Sequence, residues 1–265
     1  MSDLFDLSGR VALVTGGYRG VGRMIAEEFV ERGVRVYITG RSADRVIAAA
    51  KELGAKGECI GIPNDLSSMD GVTELADAIS GRESTLDILV NNAGTGWHAS
   101  FDDLPEKGWD KTFNLNIKAP FFLIQQLRPL LAKAGSLDRP SKVINISSVD
   151  SLYMPPDESY PYPASKAALN HLTRKLASRL AKDHIHVNAI APGAFESEMN
   201  PAAVERPDLL EAFVPAARVG RPSDIAGTCV YMASRAGDYL LGVVLAVDGG
   251  VTQALPMGPG PDYEN

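Results

Sequence analysis

The chain has 265 residues, 45% of them hydrophobic, and a formal net charge of -7. That length accommodates one large α/β domain, and the acidity argues against nucleic acid or an anionic membrane as partner, since both select basic surfaces. No apolar run is long enough to cross a membrane, the N-terminus carries acids where a leader carries bases, and Cys59 and Cys229 stand far apart. A soluble, cytoplasmic protein without a metal is expected. None of the four histidines is assigned to a metal: His98 and His171 are isolated, and His184 and His186 alternate as strand residues do.

Apolar, β-branched runs at 10–15, 34–39, 57–62, 86–90, 142–147, 185–191 and 243–247 alternate with stretches of helical period. Helices are predicted to start near Gly20, Ser42, Ser68, Gly108, Pro161 and Ser223. Leu123, Leu127, Leu130 and Leu131, set among Gln125, Gln126 and Arg128, extend one helix from Trp109 to about Lys133. Seven buried strands separated by helices predict an α/β fold. The expectation is a Rossmann-type, doubly wound, seven-stranded parallel sheet with helices on both faces, forming a single domain over 1–265. Insert-like stretches occur at 135–140 and 197–215. The second leaves the carboxyl end of a strand, where open α/β sheets bind ligands, so 194–216 is expected to be a substrate lid. The Pro- and Gly-rich tail, 256–265, is expected to fray or to pack on a neighbouring subunit.

Thr15-Gly16-Gly17-Tyr18-Arg19-Gly20-Val21-Gly22 is a glycine-rich turn between an apolar strand and an amphipathic helix. Glycines let the backbone approach a pyrophosphate, and the helix start offers free N–H groups and a positive dipole end. At the end of the second strand, Thr39-Gly40-Arg41-Ser42 has no acid of the kind that holds an unmodified ribose. Arg41 and Arg19 supply two cations for a 2′-phosphate, which predicts NADP(H) rather than NAD as cofactor.

Further along, Asn91-Asn92-Ala93-Gly94 ends a buried strand with small and amide side chains, leaving room for a flat cofactor and tying strands together. Ser147-Ser148 presents hydroxyls at another strand end, and Pro192-Gly193 lets backbone approach the cofactor ring. In Tyr162-Pro163-Ala164-Ser165-Lys166 a phenol and an amine stand four positions apart on one helix face. A nearby ammonium favours the phenolate, so the pair is suited to moving a proton to or from a substrate oxygen. Tyr160, six positions from Lys166, lies off that face, and Pro161 and Pro163 place Tyr162 in the first helical turn.

These segments, with Asn116, resemble in order and separation the short-chain dehydrogenase/reductase family, over roughly Leu7 to Gly250. The resemblance implies that Tyr162 is the general acid/base, while Lys166 lowers its pKa and holds the nicotinamide ribose. It implies that Ser148 bonds the substrate oxygen and that Asn116 holds a water relaying protons through Lys166. Asp65 and Leu66 would meet the adenine, Asn92, Ala93 and Gly94 the adenosine ribose side, and Ser197 the carboxamide and pyrophosphate. The C-terminal strand, Leu241 to Gly250, would serve tetramer packing, so a homo-oligomer is expected. The pattern is similar to the 3-oxoacyl reductase-like branch, so a small-molecule carbonyl or alcohol is the expected substrate and a 3-oxoacyl thioester the leading class. Small ketones, sugar acids and steroid-like alcohols stay open. An NAD-dependent secondary-alcohol dehydrogenase and a non-catalytic NADP-binding sensor or scaffold are the alternatives. Trp97, His98, Tyr153, Met154, Phe195 and Met199 are candidates for an apolar substrate pocket or, equally, for core cover.

Overall fold

The computed structural model describes residues 4–154, 157–198, 200 and 202–254. Seven strands are formed by the buried runs: β1 (Val11–Thr15), β2 (Arg35–Gly40), β3 (Cys59–Pro63), β4 (Ile88–Asn91), β5 (Ser141–Ile146), β6 (Ile185–Pro192) and β7 (Val244–Val247). They pair in parallel in the order β3-β2-β1-β4-β5-β6-β7. Order reverses between β1 and β4, the crevice where doubly wound sheets bind dinucleotides.

The helices are α1 (Gly20–Glu31), α2 (Ala43–Gly54), α3 (Met69–Ser80), α4 (Glu106–Phe113), α5 (Ala119–Ala134), α6 (Pro161–Leu180), α7 (Ala202–Glu205), α8 (Pro207–Phe213) and α9 (Pro222–Ala233). Ile25, Phe29 and Val30 of α1, Val46 and Leu53 of α2, and Ile225 and Val230 of α9 bury against one face of the sheet. Val72, Leu75 and Ile79 of α3, Leu123, Leu127 and Leu131 of α5, and Leu176 and Leu180 of α6 bury against the other. Both faces are thus apolar, which is why the central strands read as unbroken hydrophobic runs rather than as alternations.

One helix departs from its sequence reading. The stretch expected to run unbroken from Trp109 to Lys133 is α4 and α5 joined by a π-turn over Asn114–Lys118. Such a turn carries one more residue than α geometry needs, and it is frequent at functional sites. Here it holds Asn116, fully buried. The tail at 256–265 lies outside the described residues.

Candidate active site

The β1–α1 turn is shaped by what would collide with it. Gly16 adopts φ +65°, and a Cβ on Gly22 would stand 2.3 Å from Asn92 Nδ2 and 2.6 Å from the Gly16 carbonyl oxygen. No side chain fits between the start of α1 and the end of β4. Thr15 closes the joint: its Oγ1 accepts from the Asn92 and Ala93 amides, each at 2.9 Å, and Asn92 Nδ2 donates to the Thr15 carbonyl at 2.8 Å. Asn91 donates to Asn145 Oδ1 at 2.9 Å, and Asn145 donates to Thr173 Oγ1 at 2.9 Å, tying β4, β5 and α6 together. The expected strand-tying asparagines are therefore present, with Asn92 and Ala93 held by Thr15.

Around the expected phosphate position Tyr18 lies on Gly40, where a Cβ would collide with the ring. The guanidinium carbons of Arg19 and Arg45 each lie 5.2 Å from the Tyr18 ring centroid. Both arginines pair with Glu198, which comes from beyond β6. Arg41 is exposed at the end of β2, and Ser42 caps α2 by position without a side-chain bond. Arg45 and Glu198 are functional candidates that sequence reasoning missed. The signal for Arg45 was its spacing, four residues past Arg41 in the first turn of α2; nothing local marks Glu198, 153 residues away from Arg45.

On the other side of β4, the end of β5 and the start of α6 bring Ser148, Tyr162 and Lys166 together. Pro161 opens α6, which places Tyr162 in its first turn, as predicted. Ser148 is buried, and its hydroxyl pulls the Tyr162 phenol's pKa down. Lys166 is buried too, donating from Nζ to the Ile146 carbonyl at 2.7 Å, with Nζ 5.7 Å from the Tyr162 ring centroid. Asn116 accepts from the Thr95 amide at 2.9 Å, and its Nδ2 lies 2.9 Å from both the Thr95 carbonyl and Ser165 Oγ. Its side chain thereby ties the Gly94–Gly96 loop to α6. Gly94 fits tightly there, since a Cβ would stand 3.3 Å from Asn116 Oδ1 and 3.5 Å from Lys166 Nζ.

The electrostatics differ from the sequence expectation. Although part of its surface stays open, burial pushes the Tyr162 phenol up to about 12, with the Ser148 hydrogen bond pulling down and the Asp150 charge pushing up. The same burial lowers the Lys166 amine to about 8, with the Asp150 charge opposing it. Desolvation disfavours a charge on either group and outweighs their attraction. The lowered lysine has a stability consequence. Between about pH 8 and 10 an unfolded chain, whose lysine titrates near 10.5, holds more protons than the folded one, so stability rises with pH. The rise is worth up to about 3 kcal/mol. Urea midpoints at pH 7, 8.5 and 9.5 should show it in the native protein, and Lys166→Met should flatten it whatever the absolute stability of the variant.

The remaining predicted positions divide. Leu66 is buried beside exposed Asp65, whose Oδ1 accepts from the Ser67 amide at 3.0 Å. A cavity of about 310 Å³ lined by Leu66, Met69, Val72, Asn114 and Lys118 opens beside them. Val21 packs on the core beneath α1. Gly193 follows Pro192 at the end of β6, where a Cβ would meet Asp248 Cα at 2.7 Å. Ser197 abuts the glycine turn, since a Cβ on Gly20 would stand 3.1 Å from Ser197 Cβ. Of the pocket candidates, Phe195 belongs to the core: it is 3% exposed and covers Gly220. Trp97 lies on Gly108, Tyr153 sits 6.0 Å from Phe213, Met154 and His98 are exposed, and Met199 falls outside the described residues. Among the described residues no group of three or more His, Cys, Asp or Glu side chains could hold a metal, and no helix is long and apolar enough to cross a membrane.

Residues 16–252 match the family described as enoyl-(acyl carrier protein) reductase. A rhamnolipids biosynthesis 3-oxoacyl-[acyl-carrier-protein] reductase of Pseudomonas aeruginosa is 46% identical over 253 residues, covering 94% of this chain and 99% of the relative. A gluconate 5-dehydrogenase of Gluconobacter oxydans is 35% identical over 257 residues, covering 96% and 98%. Among solved structures, the Pseudomonas aeruginosa RhlG/NADP active-site complex superposes with a TM-score of 0.91 at 45% identity, covering 95% of this chain and 100% of the other. The strand order, the glycine turn and the Ser148, Tyr162 and Lys166 cluster agree with that likeness over nearly the whole length: the chain belongs to the short-chain dehydrogenase/reductase family.

Proposed function

We propose that the protein is an NADP(H)-dependent carbonyl reductase and alcohol dehydrogenase whose leading substrate class is a 3-oxoacyl thioester. The observation that carries the reading is the convergence of Ser148, Tyr162 and Lys166 at the carboxyl end of the sheet, opposite a turn in which a Cβ on Gly17 or Gly22 would collide with its neighbours. The name of the 46% identical Pseudomonas aeruginosa relative and the NADP complex of the superposed structure support the same chemistry.

The residues fit a 2′-phosphorylated dinucleotide. Gly16, in the turn, and Gly20 and Val21, at the start of α1, would face the pyrophosphate; Arg19, Arg41, Ser42 and Arg45, with Tyr18 beside them, would hold the 2′-phosphate, Arg19 and Arg45 exchanging their Glu198 partner for it. Asp65 and Leu66 meet the adenine, Asn92, Ala93 and Gly94 line the ribose side, and Pro192, Gly193 and Ser197 border the nicotinamide. When bound, the reduced nicotinamide supplies the hydride. Tyr162 donates the proton to the substrate oxygen, and a pKa of about 12 keeps the phenol protonated for that step. Ser148 bonds the same oxygen as charge develops on it. Lys166 holds the nicotinamide ribose, and Asn116 holds a water that returns protons towards Lys166.

Segment 194–216 closes as a lid over the substrate. The cell compartment is cytoplasmic, in keeping with free Cys59 and Cys229. The assembly is a homotetramer, in keeping with an edge strand β7 that is only partly covered and with exposed Tyr239 and Leu241 beside it.

The test is a panel of acetoacetyl-coenzyme A, crotonyl-coenzyme A, 5-keto-D-gluconate and a 3-ketosteroid, each followed by loss of NADPH and, in parallel, NADH absorbance. Preferred turnover of acetoacetyl-coenzyme A with NADPH is expected. Crotonyl-coenzyme A turnover would point to double-bond reduction, and binding without turnover of any carbonyl would leave a sensor.

A further inference from the structure

Glu198 stands in the segment that follows β6, and its one carboxylate joins two arginines: Oε2 pairs with Arg19 Nη1 and Oε1 with Arg45 Nη2. Arg19 comes from the β1–α1 turn and Arg45 from the first turn of α2, so the carboxylate bridges two elements at the expected phosphate position. Tyr18 sets the pair. Its ring lies where a Cβ on Gly40 would stand 2.2 Å from Cε1, and both guanidinium carbons lie 5.2 Å from its centroid. Two like charges over one ring repel each other, and an anion between them offsets that repulsion. The backbone around Glu198 is seated in the same crevice. Ser197 Cβ is 3.1 Å from where a Cβ on Gly20 would be, the Asn200 amide donates to Ser197 Oγ at 3.2 Å, and Phe195 bridges to Gly220.

A carboxylate offers two oxygens and a single charge, whereas a phosphate monoester offers three oxygens and nearly twice the charge. Either can span a pair of guanidiniums, but a ribose hydroxyl is neutral and has no means of displacing Glu198. We propose that Glu198 is a specificity-determining residue that competes with a 2′-phosphate for Arg19 and Arg45. It weakens the binding of 2′-phosphorylated ligands selectively, and its exchange for phosphate releases the segment that carries it. This rests on the NADP(H) reading of the site and adds that the two arginines report the identity of the cofactor to the lid.

The competition is graded rather than all-or-none. The three side chains keep between 36% and 51% of their surface in water, and ion pairs so exposed contribute little each. Glu198 therefore tunes affinity without closing the site.

The experiment compares native protein with Glu198→Gln, which keeps the shape of the side chain without its charge. In fluorescence titration the variant should bind NADPH about fivefold more tightly, the scale of two exposed ion pairs, and NADH within about twofold of native. Equal shifts for the two cofactors, or none, overturn the proposal. In an Arg45→Met background the gain from Glu198→Gln should shrink to about twofold. A gain undiminished there makes Glu198 a through-space repulsion alone and also overturns the proposal. The segment itself is read without turnover, by amide hydrogen exchange of a peptide covering 194–200 with adenosine 2′-monophosphate or adenosine 5′-monophosphate at saturation. In native protein the 2′ isomer should speed exchange and the 5′ isomer should not; in Glu198→Gln exchange should be fast from the start and indifferent to both. An equal response of native protein to the two isomers overturns the proposal, whereas a native protein that binds NADPH no more tightly than NADH refutes the NADP(H) reading by itself.

Discussion

Tyr162→Phe abolishes NADPH-linked ketone reduction, lowering kcat by about 10³-fold or more, and leaves the dissociation constant of NADPH within about twofold of the native value. A positioned acid or base contributes roughly 10²–10⁴ in rate, and no other acid shares the position of this phenol: Tyr160 is exposed and points to Glu158. Lys166 cannot substitute, because its amine is engaged with the Ile146 carbonyl and buried beneath the ring. Stopped-flow absorbance for the chemical step and NADPH fluorescence titration for binding separate the two quantities. Turnover retained in the variant would falsify the assignment of the proton donor.

Arg41→Asp shifts the ratio of kcat/KM for NADPH over NADH by about 10²-fold towards NADH. A hydrogen bond between charged groups contributes about 1.5–3 kcal/mol, and Arg41 is exposed, so the lower end applies to its loss. Repulsion between the new carboxylate and a 2′-phosphate, together with the bond that carboxylate makes to a ribose hydroxyl, supplies the remainder. Because these charges face solvent, the preference should weaken as salt rises. Initial rates with both cofactors at 0.05 and 0.5 M salt measure the ratio and its screening; an unchanged ratio removes Arg41 from the phosphate site and leaves Arg19 and Arg45.

The strands could be read from sequence because burial on both faces leaves so simple a trace. The run at 142–147 falls within one residue of Ser141–Ile146, and 185–191 within one residue of Ile185–Pro192. Helix starts were equally plain where a cap or proline marks them, as at Ser68 and Pro161. The cluster of Ser148, Tyr162 and Lys166 was legible because topology alone brings the end of β5 to the start of α6. What sequence concealed were effects without a local trace. Glu198 reaches Arg19 and Arg45 across more than 150 positions. The phenol and amine pair was expected to settle its own charges, yet removal from water dominates both, which no spacing rule conveys.

The π-turn at Asn114–Lys118 also fixes where two aromatic rings go. In an unbroken α-helix Trp109 and Leu123, fourteen positions apart, would fall within about 40° of each other around the axis at 100° per residue. Both would then face the sheet. The extra residue turns the upstream half back by about one residue's rotation, roughly 100°, so the stacked pair of Trp109 and Phe113 is carried off the Leu123, Leu127 and Leu131 stripe, and Trp109 stays 40% exposed. Removing a single residue from this segment would therefore do more than displace Asn116: it would rewind the helix and drive an indole towards a face already filled with leucine.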